Sequence, residues 1–361
     1  MSSLIVEVCE VKEVRKHENA DSLSVIKVKG WNCVTMLDQY RVGDLILFIP
    51  PDSIVPPDMI EKYKLDYLKK NGRVRTVKLR KVISEGLVLD LPEGNFKKGD
   101  DLAELLGITK YEQPESKPQK GGNRVSKKRL NPMFHKYTSI ENSKNYEGIF
   151  EEGELVVITE KIHGSNWRAG YLAISIHKDQ PFRYKVQKFF EKYVLRRTQE
   201  FVYGSHNVQL HSGNKRNNFY KDDIWIKMAK KYGFDEIKEE NTVFYGEVYG
   251  LGIQDLTYGL NEVSLVIFDI KKNGEYVTWN EVVEICSKYN LPTVPVLYAG
   301  QWHENITDEY AGGNSLLYST QLREGCVVKP TKEKSHPSIG RKILKVINPE
   351  YLARKKGTEF K

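Results

Sequence analysis

The sequence predicts an α+β protein in which a small β-barrel precedes a larger domain of mixed and antiparallel sheets with helices. Three observations support this. Residues 1–110 contain short strands separated by turns. Residues 111–134 are rich in Pro, Gly, Lys and Ser and are typical of a linker. From residue 135 to 361, longer β-rich runs alternate with helical patterns.

The barrel prediction depends on the number and spacing of the early strands. Apolar or alternating runs fall between turn signals such as Val42-Gly-Asp44 and Pro50-Pro-Asp52. The predicted strands are Ser3–Val11, Leu23–Val28, Leu45–Ile49, Arg73–Val77 and Gly86–Leu91. About five short strands in about 90 residues favour an OB-type barrel, although an SH3-like barrel has a similar pattern.

The larger domain is predicted from β-rich runs and helical periodicity. The strands are expected at Glu154–Thr159, Thr242–Val248, Ser264–Ile270 and Cys326–Lys329, and the helices at Tyr184–Arg197, Ile224–Tyr232 and Glu281–Tyr289. In the first helix, Val186, Phe189, Phe190 and Tyr193 share one face and Lys185, Lys188, Lys192 and Arg196 an adjoining one. We expect the apolar face to pack on the core and the basic stripe to meet a polyanion.

Composition narrows the class of protein. The formal net charge of +8 and a pI near 9.0 favour a polyanionic partner. The four cysteines show no CxxC spacing, which argues against a zinc site or a disulfide framework. No signal peptide and no run of roughly 18 apolar residues is apparent, so an intracellular, soluble protein (cytoplasmic or nuclear) without a membrane partner is expected.

The densest group of reactive side chains is Glu160-Lys-Ile-His-Gly-Ser-Asn166, directly after a predicted strand. A lysine amine is nucleophilic only when deprotonated, and burial or nearby cations lower its pKa. Gly164 permits a tight backbone turn, and Asn166 supplies a neutral hydrogen-bonding group. A surface lysine in a glycine turn would give the same short string, so the motif needs support from elsewhere.

Four further elements supply that support, because they follow in a fixed order. They are Tyr245–Gly250, Leu265–Ile270, Arg323–Pro330 and Arg341–Asn348. With the lysine motif they resemble the covalent nucleotidyltransferase superfamily of DNA ligases, RNA ligases and capping enzymes. The motif resembles KxxGxx, and Glu160, His163 and Asn166 match the EKxHGxN form of the RNA-ligase branch. The resemblance extends from Phe150 to Leu352 and implies an ATP-grasp-like ligase domain.

The N-terminal module strengthens the RNA-ligase interpretation. Arg15–Leu23, Tyr40–Leu45 and Val74–Leu91 resemble the OB module that precedes the catalytic domain in one group of ATP-dependent RNA ligases. In DNA ligases and capping enzymes the OB domain usually follows that domain. A DNA ligase, a guanylyltransferase and a non-catalytic RNA-binding protein are the alternatives.

The resemblance implies ATP and Mg²⁺ or Mn²⁺ as cofactors, with Lys161 forming a lysyl-AMP. The expected substrate is RNA with 3′-hydroxyl and 5′-phosphate ends in a nicked duplex. The enzyme is expected to be a monomer. His163 acts in transfer to RNA, and Glu324, Glu247 and Asn207 hold the metal or its waters. The nucleotide-binding residues are Glu160, Lys161, Asn166, Glu247, Phe268, Lys329 and Lys345.

One position departs from the family pattern. The last motif often carries two lysines as KxK, but Ile347 stands where the second lysine after Lys345 would be. Lys342 is the candidate for supplying the missing charge.

Overall fold

The computed structural model describes residues 3–111, 131–178, 180–210, 224–354 and 357–358. The predicted linker lies largely outside these ranges, as does the basic run Lys127-Lys-Arg129. Within the described ranges, no helix is both long and apolar enough to cross a membrane.

The N-terminal part is a barrel-like arrangement of nine strands among the described residues. The strands are β1 Glu7–Lys16, β2 Leu23–Val28, β3 Trp31–Met36, β4 Leu45–Ile49, β5 Ser53–Ile54, β6 Val77–Leu79, β7 Val82–Ser84, β8 Leu87–Leu89 and β9 Thr109–Lys110. Five of them form an antiparallel sheet of order β3-β2-β1-β4-β8. The small helix α1, Pro57–Lys62, and a 3₁₀ turn at Asp66–Leu68 lie between β5 and β6. The predicted OB-type barrel is confirmed.

Alternation along β1 explains how one strand serves two apolar clusters. Val8 packs with Leu47 and Ile49 on one side, whereas Cys9 and Val11 belong to a second cluster. Successive side chains of a strand point to opposite faces, so one long strand can close both halves of a small barrel.

The C-terminal part contains two larger sheets. The strands are β10 Glu141–Asn142, β11 Leu155–Lys161, β12 Ser165–Ala173, β13 Gln199–Ser205, β14 Gln209–Leu210, β15 Thr242–Gly250, β16 Val263–Lys272, β17 Glu275–Tyr276, β18 Val296–Gln301, β19 Gly325–Pro330, β20 Ser335–His336, β21 Gly340–Arg341 and β22 Leu344–Ile347. One sheet has five strands in the order β10-β22-β19-β11-β18, and the other has six in the order β14-β13-β12-β15-β16-β17. The pairing is antiparallel except between β10 and β22, which confirms the predicted fold class.

Five further helices among the described residues pack against these sheets or against the barrel. They are α2 Phe182–Phe189, α3 Ile224–Lys231, α4 Trp279–Lys288, α5 Ile306–Ala311 and α6 Pro349–Leu352, with a 3₁₀ turn at Ser143–Asn145 and a π-helical turn at Phe190–Val194 that extends α2. A capping box at Thr278 and Glu281 begins α4, and Val282 and Cys286 of that helix are buried in the main core.

The predicted orientation of α2 is wrong. Val186, Phe189 and Tyr193 are more than half exposed, whereas Lys188, assigned to the basic stripe, is buried. Lys188 forms ion pairs with Glu191 and Glu200, at 2.6 and 2.8 Å. A buried polar network, rather than an apolar face, therefore fixes this helix.

A seam of buried polar contacts joins the barrel to the C-terminal part. Lys144 Nζ lies 2.7 Å from Glu85 Oε1, and the Trp31 indole donates to Asn145 Oδ1. On another side of the barrel, Arg73 contacts Asp52, and Thr358 donates to Asp52 Oδ2 at 2.7 Å. The barrel is thus held by specific contacts to residues far along the chain.

Candidate active site

A cavity of about 370 Å³ opens between the two large sheets, where β11 turns into β12. The catalytic, nucleotide-binding and metal-binding side chains that the sequence proposed all line this cavity, whereas Lys342 does not. They are Glu160, Lys161, His163, Asn166, Asn207, Glu247, Phe268, Glu324, Lys329 and Lys345. Residues up to 185 positions apart in the chain therefore meet around one space.

Strand pairing brings the lysine and its carboxylate partner together. Lys161 ends β11 and is paired in register with Gly325 of the antiparallel strand β19. Glu324 directly precedes β19, and its Oε1 lies 2.9 Å from Lys161 Nζ. The Glu324 side chain is only 1% exposed, whereas that of Lys161 is 20% exposed and faces the cavity.

A close backbone approach explains the glycine of the motif. A Cβ on Gly164 would lie 2.2 Å from the carbonyl oxygen of Val248, closer than any side chain tolerates. This approach lets β12 pair with β15, and Asn166 stands directly opposite Glu247 in that register. Two predicted nucleotide-binding side chains are thus positioned by a single strand pair.

Two buried lysines form the basic wall of the cavity. Lys329 and Lys345 are 4% and 3% exposed and lie on the neighbouring strands β19 and β22. Lys329 Nζ is 3.0 Å from Asp269 Oδ1, which fixes the position of its charge.

Asp269 is a buried carboxylate that fixes the positions of basic side chains from two other strands. Its Oδ2 accepts a hydrogen bond from Tyr137 at 2.8 Å and lies 2.7 Å from Arg341. Burial opposes ionisation of this carboxyl, but the charges of Lys329 and Arg341 outweigh burial and lower its pKa. Sequence reasoning missed this role because the partners are distant in the chain.

Phe268 and Glu160, which both line the cavity, differ in burial. Phe268 is partly buried and meets Tyr137 edge to face, with ring centroids 4.8 Å apart. Glu160 is 2% exposed; its Oε2 accepts from the Leu316 amide at 2.8 Å, whereas Oε1 has no hydrogen-bond partner among the described residues. Burial raises the pKa of the Glu160 carboxyl.

His163 is held on both ring nitrogens by residues that the sequence did not identify. Nε2 lies 2.7 Å from Asp255 Oδ1, and Nδ1 lies 3.0 Å from the Tyr351 hydroxyl. A tautomer with the proton on Nε2 donates to Asp255 and accepts from Tyr351. The hydroxyl of Tyr258 accepts from the His163 backbone N–H at 2.6 Å. These partners lie 92 to 188 positions away, and no local motif marks them.

The carboxylates at the cavity suit a metal held mainly through water and phosphate. Glu324 Oε2 is buried and has no hydrogen-bond partner within the described ranges, and Glu247 lines the same space. Among the described residues, no group of three His, Cys, Asp or Glu side chains could hold a metal alone. Mg²⁺ commonly keeps several waters and binds one or two carboxylates plus substrate phosphates, so the donors fit such an ion.

The remaining candidates lie at or beyond the rim. Asn207 is exposed, and its Oδ1 accepts from Lys136 Nζ at 2.9 Å. Lys342 does not line the cavity; its Nζ lies 2.7 Å from Glu154 Oε2. Lys342 therefore does not replace the missing second lysine of the KxK pattern.

Comparison with known proteins agrees with this geometry. The RNA ligase family model matches residues 154–347, and a model described as an OB-fold domain matches residues 5–91. A search of curated proteins finds no match.

Several solved structures of an RNA ligase from Naegleria gruberi share the fold. A lysine-to-alanine mutant with ATP and Mn has a TM-score of 0.72 at 23% identity, and the match covers 97% of this chain and 98% of that one. The ligase with PPi matches with the same score and identity over 99% of each chain. A glutamate-to-alanine mutant with AMP and Mn matches at 0.72 and 23% over 97% and 98%.

Proposed function

Since the chain belongs to the RNA ligase family, we propose that it joins RNA 3′-hydroxyl and 5′-phosphate ends with ATP, using Lys161 as a covalent nucleophile. The observation that carries the proposal is the cavity itself. It holds a partly exposed lysine beside a buried carboxylate, with two buried cations on one wall. Such a set suits nucleotidyl transfer, which depends on positioning and charge stabilisation.

The first step places the new bond on Lys161. The deprotonated Nζ attacks the α-phosphorus of ATP, an N–P bond forms, and the P–O bond to pyrophosphate breaks. Glu324 lies 2.9 Å from this nitrogen and orients it. Lys329 and Lys345 stabilise the charge that develops on the phosphate oxygens.

The next two steps transfer the nucleotide to RNA and then release it. The RNA 5′-phosphate displaces Lys161 from the AMP, and the 3′-hydroxyl then attacks the activated 5′-phosphate and expels AMP. His163 is buried and held by Asp255 and Tyr351, so it can hold a proton at a fixed place in these steps. A divalent ion held by Glu324, Glu247 and Asn207 through water would neutralise charge on the phosphates.

We propose that Glu160, Phe268 and Glu247, which line the cavity, select ATP over GTP. Glu160 Oε1, which has no partner among the residues that the structure describes, is a hydrogen-bond acceptor for the adenine amino group, which guanine lacks at that position. Phe268 offers a ring to the base, and Glu247 can accept from the ribose hydroxyls. The ATP and AMP in structures of the Naegleria ligase, which shares this fold, support an adenine nucleotide as the ligand.

The proposed substrate is a nick in duplex RNA. The barrel is fixed to the catalytic part by the buried Lys144–Glu85 pair, so both parts can grip one rigid RNA. We propose a monomer, because a net charge of +8 opposes self-association. We also propose that it acts in the cytoplasm or nucleus, where RNA and ATP are available.

The test is incubation of the protein with α-labelled ATP and Mg²⁺ or Mn²⁺, beside Lys161→Ala and the exposed helix control Lys227→Ala. We expect a covalent adduct in the wild type and in Lys227→Ala, but not in Lys161→Ala. Release of the label by acid but not by alkali identifies the phosphoramidate.

Nicked RNA and nicked DNA then separate the substrates. Sealing of RNA is expected, while preferential sealing of nicked DNA would favour a DNA ligase. An adduct with GTP but not ATP would indicate a guanylyltransferase. No adduct with either nucleotide, on protein free of bound AMP, would leave a non-catalytic RNA-binding protein.

A further inference from the structure

The outer face of α2 and its π-helical extension is a row of large apolar side chains in contact with solvent. Phe182 is 76% exposed, Phe189 56% and Tyr193 60%. Val186, Phe190, Val194 and Leu195 are between 48% and 57% exposed. Contiguous exposed apolar surface of this kind marks an interaction site in soluble proteins. We call this face the aromatic platform.

The inward face of the same helix explains why the rings point outward. Tyr184 donates to Glu200, and Lys188 lies 2.8 Å from Glu200 Oε2. Rotating the helix to bury its rings would break this pair and leave Glu200, which is 6% exposed, without its charged partner. The outward orientation is therefore built into the fold.

Positive charge surrounds the aromatic platform. Between residues 181 and 197 there are six basic side chains and a single acidic one, Glu191. Glu191 is already paired with Lys188, at 2.6 Å. The remaining cations are exposed or partly exposed, and they are Arg183, Lys185, Lys192, Arg196 and Arg197. Lys192 Nζ lies 5.8 Å from the ring centroid of Tyr193.

We propose that the aromatic platform binds an unpaired flank that continues from the nicked RNA duplex, with bases stacked on its rings and phosphates paired with its cations. This inference rests on the proposed RNA-ligase function and extends it. Rings interleaved with cations are the pattern by which proteins hold single-stranded nucleic acid without reading its sequence. A second copy fits less well, because a two-fold interface would set the same positive surface against itself.

The position of the aromatic platform defines which part of the RNA it meets. Strands β12 and β13 run between the cavity, near Asn166 and Asn207, and the loop that carries α2 beyond Ala173. Nine residues of strand span roughly 25–30 Å. A stacked strand advances about 3.4 Å per nucleotide, so a stacked flank of on the order of eight nucleotides covers this distance. A stacked flank of four nucleotides is too short to reach the rings, whereas one of about 16 is long enough.

The test compares two matched triple variants of the full-length protein. In one, Phe182, Phe189 and Tyr193 are changed to Ser; in the other, the same residues are changed to Leu. Leucine keeps the apolar surface but removes the aromatic ring, so stacking is separated from general hydrophobic contact. Binding of fluorescein-labelled 5′-phosphorylated RNA is measured by anisotropy without ATP, using otherwise identical substrates with 4 or about 16 unpaired nucleotides beside the joining site.

We expect both variants to weaken binding of the long-flank RNA at least about tenfold, since each stacked base contributes substantially. Binding of the short-flank RNA and the rate of lysyl-AMP formation should match the wild type. Lys185→Ala with Lys192→Ala should reduce the dependence of long-flank binding on salt. A failure of the proposed ligase activity would appear separately, as absence of the wild-type adduct.

Three results would overturn the inference. Undiminished long-flank binding by both variants would exclude the rings from RNA contact. A wild-type dimer in sedimentation that is lost in the Ser variant and kept in the Leu variant would assign the face to a second copy. Binding to vesicles of phosphatidylserine and phosphatidylcholine that RNA does not displace would assign it to a membrane surface.

Discussion

The cavity and the seam each contain a lysine–glutamate pair, and the two pairs differ in what surrounds them. Lys161 and Glu324 are 2.9 Å apart, with side chains 20% and 1% exposed. Lys144 and Glu85 are 2.7 Å apart, with side chains 7% and 2% exposed. The distances are nearly equal, so the difference lies in access and in hydrogen bonding.

The seam pair is buried, and both carboxylate oxygens of Glu85 already accept hydrogen bonds. Both oxygens of Glu85 accept from Lys144, at 2.7 and 2.9 Å, and the ammonium lies 5.1 Å from the Trp31 ring. In the cavity pair, by contrast, Glu324 Oε2 has no hydrogen-bond partner in the part of the chain that the structure describes, and Lys161 lines the open cavity. A saturated pair stabilises an interface, whereas an unsaturated pair beside a cavity retains capacity for a ligand.

The largest expected effect is on RNA sealing, which should depend on Lys161 of the cavity pair and not on Lys144 of the seam pair. Lys161→Ala should reduce sealing by roughly 10⁴-fold or more, because the covalent nucleophile is removed. Multiple-turnover sealing of nicked RNA measures this loss. A pre-adenylylated RNA bypasses the first step, so the variant should regain part of its activity on that substrate. Equal loss on both substrates would mean that Lys161 has no special role in the first step.

The second expected effect is a lower free energy of unfolding when the lysine–glutamate pair of the seam is broken. Lys144→Met leaves Glu85 buried without its cation, which should lower the free energy of unfolding by about 3 kcal/mol. Urea denaturation followed by tryptophan fluorescence measures the change. Adding Glu85→Leu should recover much of the loss, because both charges are then gone. Adenylylation at 20 °C should stay within about twofold of the wild type; a large loss there would contradict the separation of the two pairs.

A third, smaller effect tests the support of His163. Tyr351→Phe removes the hydroxyl that lies 3.0 Å from His163 Nδ1, while the ring keeps its packing. Losing one buried hydrogen bond of about 1 kcal/mol should slow transfer of AMP from the enzyme to RNA by roughly fivefold. Single-turnover chase of the labelled adduct measures that step. The rate of adduct formation serves as the internal control, and a change in that rate alone would count against this role.

The sequence predicted the parts of the fold that are local. Leu23–Val28 and Leu45–Ile49 form strands with the predicted bounds, because turn residues border each apolar run. Strand β12, Ser165–Ala173, was not predicted, since its Gly170 and mixed polarity hide the pattern. The predicted domain bounds stay a prediction.

The candidate site shows the same division between local and distant information. The cluster from Glu160 to Asn166 is contiguous, and so the chain itself reveals it. Asp255 and Asp269 serve as anchors only through partners that folding brings from elsewhere. The orientation of α2 failed for the same reason, because Glu200, the partner of Lys188, follows the helix and cannot be recognised from its periodicity.

The last prediction concerns a cavity side chain with no equivalent at the seam. Burial lowers the pKa of His206 to about 4, below its ordinary value near 6.5. The unfolded chain therefore binds a proton at His206 between these values while the folded chain does not, so folding loses stability as pH falls from about 6.5 towards 4. In His206→Gln, the loss of unfolding free energy between pH 7 and pH 5 should be smaller by about 1–2 kcal/mol. Urea titrations at both values measure this difference, and a constant offset between the chains from pH 7 to 8.5 is the control. If wild type and variant lose equal stability on acidification, the His206 imidazole is charged inside the folded cavity.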